Sequence, residues 1–322
     1  MKIYSNILTK KNSPNLKRFI SALAFVLIAG GLGFYLKKHW SDFKGIEIVS
    51  WWSLVGLVIL TPLSFLISAF YFRKSLEPYP LRLPFKECFG LVMMTLMGNY
   101  TIPFSGFGMR AVYLKKIHGF AYRNFLTNMV VNWITNFLIY TSAGIIALIV
   151  YYWRTHQTAW TMVIIFFSVM IISLASFIPL KINPKKKRGK FLSNLVLPLI
   201  LWQKYIKHRG ILKSLLLLTF WQFLAATLMF YFAYLTFGFK ITFIDSILPN
   251  TLSLYTSVIR VVPASLGFYE AAVAYPSKFL GLSLAQGLAV AALTRLVTIF
   301  WTFALGLWFS YILIEPMKKE AK

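Results

Sequence analysis

The chain has 322 residues, of which 58% are hydrophobic and only 13% charged, whereas soluble globular domains average roughly 45–50% apolar and about 25% charged. An ordinary soluble fold is thereby excluded, and the net charge of +26, set among long aliphatic and aromatic runs, points to a membrane surface and away from nucleic acid. A single cysteine, Cys88, excludes a disulfide framework or a cysteine metal cluster, and His39, His118, His156 and His208 are too scattered to make a metal site, so no metal or other cofactor is expected.

Residues 1–18 form a basic tail. After it, apolar runs of about 20 residues, the length needed to cross roughly 30 Å of hydrocarbon, predict six full transmembrane helices: Phe19–Leu36, Trp52–Phe72, Asn124–Tyr152, Ala159–Leu180, Ile211–Phe237 and Leu284–Leu313. Tyr35, Trp51, Trp52, Tyr71, Tyr151, Tyr152 and Trp153 sit at their ends, as an interfacial aromatic belt requires. The long flank before Phe19, without a convincing small-residue cleavage pattern, argues against a signal peptide.

Two further apolar regions are too short to cross alone. Cys88–Tyr100 runs into a segment containing Gly98, Asn99, Pro103, Gly106 and Gly108, and the sequence places a helix break there. Ile244–Ile259 runs into Arg260, Pro263, Ser265 and Gly267 before a second apolar half reaching about Leu282. Proline and paired glycines break helices, so regions 88–110 and 244–282 read as re-entrant broken-helix hairpins. Irregular backbone at membrane depth survives only where protein or a wet cavity satisfies it.

Charge decides the sidedness. If both regions leave by the side they entered, the tail, 73–87, 110–123, 181–213 and 314–322 share one face and carry most of the 34 Lys and Arg. A full crossing at the first region would instead export Lys185-Lys186-Lys187-Arg188, against the positive-inside rule. Both termini are therefore expected in the cytoplasm, with a polybasic loop at 181–213 lying on the anionic leaflet or simply obeying that rule. The hairpins then dip in from opposite faces, as an inverted-topology repeat would present them, within one all-α polytopic domain at 19–313.

Pro263-x-x-x-Gly267-x-x-Glu270-Ala271-Ala272, Gly281-Leu282-Ser283, Arg295 and Gly306, together with Gly98-Asn99, Pro103 and the Gly106–Arg110 stretch, resemble the two signatures of the lysylphosphatidylglycerol synthase transmembrane family. The resemblance covers nearly the whole chain and implies a flippase-like bilayer domain of the bacterial inner membrane that handles lipids. In some members it moves aminoacylated phosphatidylglycerol between leaflets. Many members carry a Gly-acid pair followed by Arg after the first proline; Phe107-Gly108-Met109-Arg110 lacks the acid, so no role of that acid carries over. Only Ile314–Lys322 follows the last span, so a stand-alone member without the soluble aminoacyltransferase, and no enzyme, is expected.

Of eight carboxylates, seven fall near expected surfaces and Glu270 does not. An ionised group at the bilayer centre costs about 2.5–3.5 kcal/mol on insertion scales, so it persists with a partner, water or a ligand. Arg110, Arg260, Glu270, Arg295 and Asn99 are the expected substrate path. Guanidinium groups suit a lipid phosphate because their planar fork makes two parallel charge-assisted hydrogen bonds. The plainer alternatives are a bracing ion pair of Glu270 with Arg260 or Arg295, and an Asn99 amide that satisfies freed backbone groups. Ser105 and Ser265 occupy similar places in the two breaks and are expected to permit close packing. The expected partners are membrane lipids, anionic or phosphate-bearing, and a separate lipid aminoacyltransferase or glycosyltransferase. The expected function is lipid flipping through a polar midplane cavity. The alternatives are a non-transporting partner of a lipid-modifying enzyme, or an integral-membrane lipid or polyprenyl transferase, which eight scattered acids serve poorly.

Overall fold

The computed structural model describes residues 45–178, 202, 209–258, 262 and 265–319. The expected span Phe19–Leu36, nearly all of the loop before Arg209, and Arg260 and Pro263 lie outside the described residues. Within them the chain forms α1 (Trp51–Ser75), α2 (Phe85–Thr101), α3 (Ser105–His118), α4 (Tyr122–Thr155), α5 (Trp160–Ala175), α6 (Arg209–Thr236), α7 (Ile247–Thr256), α8 (Phe268–Phe279) and α9 (Leu284–Lys319).

Four of these, α1, α4, α6 and α9, are long and apolar enough to cross a membrane, at the positions the hydrophobic runs predict. Their outer faces stay apolar: Ile59, Leu63, Ile146, Ile149, Leu296 and Leu307 are exposed, a surface suited to lipid and not to water. The protein is an all-α membrane protein. The expected Ala159–Leu180 span is shorter than its hydropathy implies. Helix α5 has 16 residues, about 24 Å. It runs out where the Ser176 hydroxyl bonds back to the Ser173 carbonyl and Pro179 disfavours helical backbone in the residue before it.

Helix α1 carries Pro62 in its interior, which removes the N–H that the Val58 carbonyl would accept. The Trp301 indole Nε1 on α9 donates to that carbonyl at 2.9 Å, so the proline frees an acceptor and the neighbouring helix satisfies it. Along its length α1 packs antiparallel to α6. Val49 N–H bonds to the Thr236 carbonyl at one end, and Gln222 Nε2 bonds to Ser68 Oγ further along.

The two broken regions are helical hairpins. Between α2 and α3, partners run in opposite order: Gly98 with Ser105, Thr95 with Gly106, Leu91 with Arg110 and Glu87 with His118. Since α3 passes into α4 through only three residues, the open end of this hairpin lies at the N-terminal end of α4. Helix α7 runs antiparallel to α4, with Tyr255 bonded to Thr141, Thr251 to Tyr140, and Asp245 paired with Arg154. The Tyr151 hydroxyl donates to the Phe279 carbonyl at the end of α8. The α7–α8 hairpin therefore opens at the C-terminal end of α4, and its bend lies against the middle of that helix. The hairpins point at each other from opposite ends.

Helix α9 ties them together, antiparallel first to α8 and then to α2. A Cβ on Gly287 would fall 2.6 Å from Ala274 Cα, and one on Gly90 would meet Phe309 and Leu313. Charge follows the same axis. Arg73, Lys74, Lys86, Lys115, Lys116 and Arg123 gather at the end where the first hairpin opens, whereas Arg154, Lys240 and Lys278 stand at the other.

Candidate functional site

The first bend does not lie where glycine alone would put it. Helix α2 stays regular through Thr101 and α3 resumes at Ser105, so only Ile102-Pro103-Phe104 is irregular and Phe104 takes a left-handed φ of 61°. Gly98, Gly106 and Gly108, expected in the break, lie inside helices. Gly98 and Gly106 serve contact: a Cβ on Gly106 would fall 1.9 Å from the Thr95 carbonyl oxygen, and one on Gly98 2.7 Å from Gly106 Cα. Gly108 faces open space. In the second bend Ser265 (φ 52°) and Gly267 (φ 82°) are both left-handed, so these two expected break residues do lie in the break.

Ser105 and Ser265 do more than allow close packing. The Ser105 hydroxyl donates to the Gly98 carbonyl at 2.6 Å, and the Ser265 hydroxyl to the Thr256 carbonyl at 2.9 Å. Each serine closes its hairpin by reaching the end of the preceding half-helix. The Gly98 carbonyl also accepts the Ile102 N–H, its regular helical partner, and Thr101 Oγ1. Asn99 Oδ1 accepts the Gly106 N–H at 3.2 Å, which is the backbone-satisfying role.

Glu270 stands at the start of α8 and is 8% exposed. Its Oε1 meets Arg295 Nη1 at 3.0 Å and its Oε2 accepts the Gly267 N–H at 2.6 Å. Arg295 lies 4.8 Å over the Tyr269 ring. Both carboxylate oxygens are thus occupied by the protein, and Arg295, one of the two arginines weighed as partner, pairs with Glu270, while Arg260 lies outside the described residues. Neither residue lines the cavity described next.

That cavity, of about 330 Å³, lies among α1, α2, α3, α4 and α6 and is also lined by Leu254 and Ser257 at the end of α7. Asn99 and Arg110 are in its wall, so the structure brings together these two expected path residues and sets Glu270 and Arg295 apart. The half-buried Arg110 lies 4.3 Å over the Phe72 ring, and its Nε and Nη2 approach the Leu91 carbonyl at 3.4 Å. It has no carboxylate partner among the described residues. Beside it, α4 presents Asn128, Asn132 and Asn136, spaced by four so that they share one helix face. Gln222, Ser64 and Ser68 continue the polar wall, and Trp133, Phe137 and Tyr140 supply aromatic surface.

The amides are only partly used. Asn136 Nδ2 bonds to the Asn132 carbonyl and side chain, and Asn128 Nδ2 to Ser75. Three asparagines at a spacing of four within an apolar helix were the available sequence signal for this wall. Reading the span for hydrophobicity alone passes over them, because neutral amides interrupt it without charge.

The family model described as the lysylphosphatidylglycerol synthase TM region matches residues 19–306. No curated protein is significantly similar to the chain.

Proposed function

The chain belongs to the lysylphosphatidylglycerol synthase transmembrane family, and from that premise and the cavity's chemistry we propose that it is a flippase-like transporter of the bacterial inner membrane, moving a phospholipid or lipid-linked headgroup between leaflets. The observation that carries this is the position of Arg110: a guanidinium with no carboxylate partner among the described residues, in a polar cavity walled by the first hairpin and reaching Leu254 and Ser257 near the bend of the second. A charge so placed costs several kcal/mol unless water or an anion attends it, and a lipid phosphate supplies the anion.

In this proposal the α2–α3 and α7–α8 hairpins re-enter the bilayer from opposite faces, and six spans include Phe19–Leu36 and α5. The basic end faces the cytoplasm, by the positive-inside rule. Broken helices converging on a midplane site are the arrangement transporters use to expose it to either side in turn. The chain performs no covalent chemistry; Arg110 holds the phosphate, the carboxamides hold the rest of the headgroup, and the acyl chains remain in lipid.

The test is reconstitution into liposomes carrying fluorescent lipids of different headgroup, with leaflet exchange scored by a membrane-impermeant quencher. Exchange above that of empty liposomes supports the proposal, and exchange indistinguishable from them contradicts it.

A further inference from the structure

We infer that the headgroup this cavity takes is uncharged and hydroxylated, esterified to a lipid phosphate, and that a cationic aminoacylated headgroup is disfavoured. The inference rests on the transport proposal for the presence of lipid in the cavity, and on the wall itself for the choice of headgroup.

Among the described residues the wall has one formal charge, the Arg110 guanidinium, and none of Glu47, Glu77, Glu87, Asp245 or Glu270 lines it. An ammonium offers donors only and needs anionic or strong acceptor partners. Beside Arg110 it would meet a like charge in a medium less polar than water. Hydroxyl groups differ in kind, because each both donates and accepts. They match carboxamides, which do the same.

Asn132 shows the fit. Its carbonyl and Oδ1 receive Asn136 Nδ2 at 2.7 and 3.2 Å, while its own Nδ2 has no partner among the described residues. Gln222 is the mirror case: Nε2 donates to Ser68 Oγ at 3.0 Å, and Oε1 has no partner among the described residues. The wall therefore offers open donors and acceptors of neutral type, Asn132 Nδ2 and Gln222 Oε1 among them, with Trp133 and Phe137 available to cover the CH faces of a polyol. The family's aminoacylated lipid would need a carboxylate here; among the described residues the exposed Glu47 lies outside the wall, and four other acids are committed elsewhere. Glu270 pairs with Arg295, Asp245 with Arg154, Glu87 with His118 and Glu77 with Lys74.

The test is binding of short-chain phosphatidylglycerol and short-chain lysylphosphatidylglycerol to the purified full chain. It is followed by tryptophan fluorescence, with Trp133→Phe as the control for the reporting residue. Phosphatidylglycerol is expected to bind at least about tenfold more tightly. Asn132→Asp, which adds a carboxylate at nearly constant volume, is expected to narrow or reverse that ratio. Lysylphosphatidylglycerol binding as well as or better than phosphatidylglycerol, binding of neither, or an unchanged ratio in Asn132→Asp would overturn the inference, and so would free glycerol phosphate competing as well as the lipid. The two proposals separate cleanly. The expected binding order with no leaflet exchange leaves the headgroup inference standing and removes transport. Exchange with a lysyl preference does the reverse.

Discussion

The two hairpins have the same construction and opposite electrical fates. Each bends through a left-handed residue, is closed by a serine hydroxyl on the end of the preceding half-helix, and brings a charged side chain to the interior. In the second, Glu270 is spent on Arg295 and on the Gly267 N–H. In the first, Arg110 has aromatic and carbonyl contacts but no carboxylate among the described residues, and it faces a cavity. An intramembrane charge is therefore not a single kind of signal. One hairpin's charge is spent on an internal ion pair, and the other's faces the cavity in which the proposed lipid phosphate would meet it.

That contrast can be broken in several places. The largest effect is all-or-none: in a Cys88→Ser background, Lys116→Cys and Lys278→Cys sit at opposite open ends, and an impermeant thiol reagent should label them from opposite sides of intact vesicles. Labelling of both from one side would remove the opposed hairpins altogether. Next, Arg295→Leu leaves the buried Glu270 without its partner, and thermal or denaturant unfolding in detergent should register a loss of about 3–5 kcal/mol. Gly106→Ala presses a methyl against the Thr95 carbonyl, so the same assay should show about 1–3 kcal/mol; an unchanged stability would mean the hairpin is looser than its packing. Smallest are the serine closures. Ser105→Ala and Ser265→Ala should each cost about 1 kcal/mol, in similar amounts, and a large inequality would end the parallel between the bends.

Much of this architecture was legible in the residues. The long helices follow from uninterrupted apolar length, and the hairpins from apolar runs too short to cross that meet a proline. The extent of the breaks was not legible, because glycine signals both a bend and a close approach. Gly98 and Gly106 prove to be contact residues inside regular helices. The pairing of Glu270 with Arg295 needed three dimensions, since only the packing of α9 on α8 brings the two together. The amide wall was in plain view as Asn128, Asn132 and Asn136, but a hydropathy scan weighs such residues as slight interruptions. Only the packing of α1, α3 and α6 around that face shows that they enclose space.

The most direct measurement compares lipid exchange in liposomes by Arg110→Gln with exchange by the double variant Glu270→Leu/Arg295→Leu. The double variant removes both members of a buried pair and so leaves no orphan charge. Arg110→Gln should lower exchange by at least about tenfold while its unfolding stays close to that of the unmodified chain, and the double variant should retain most of the exchange. Full exchange by Arg110→Gln alongside its loss in a well-folded double variant would contradict the assignment of brace and binding group.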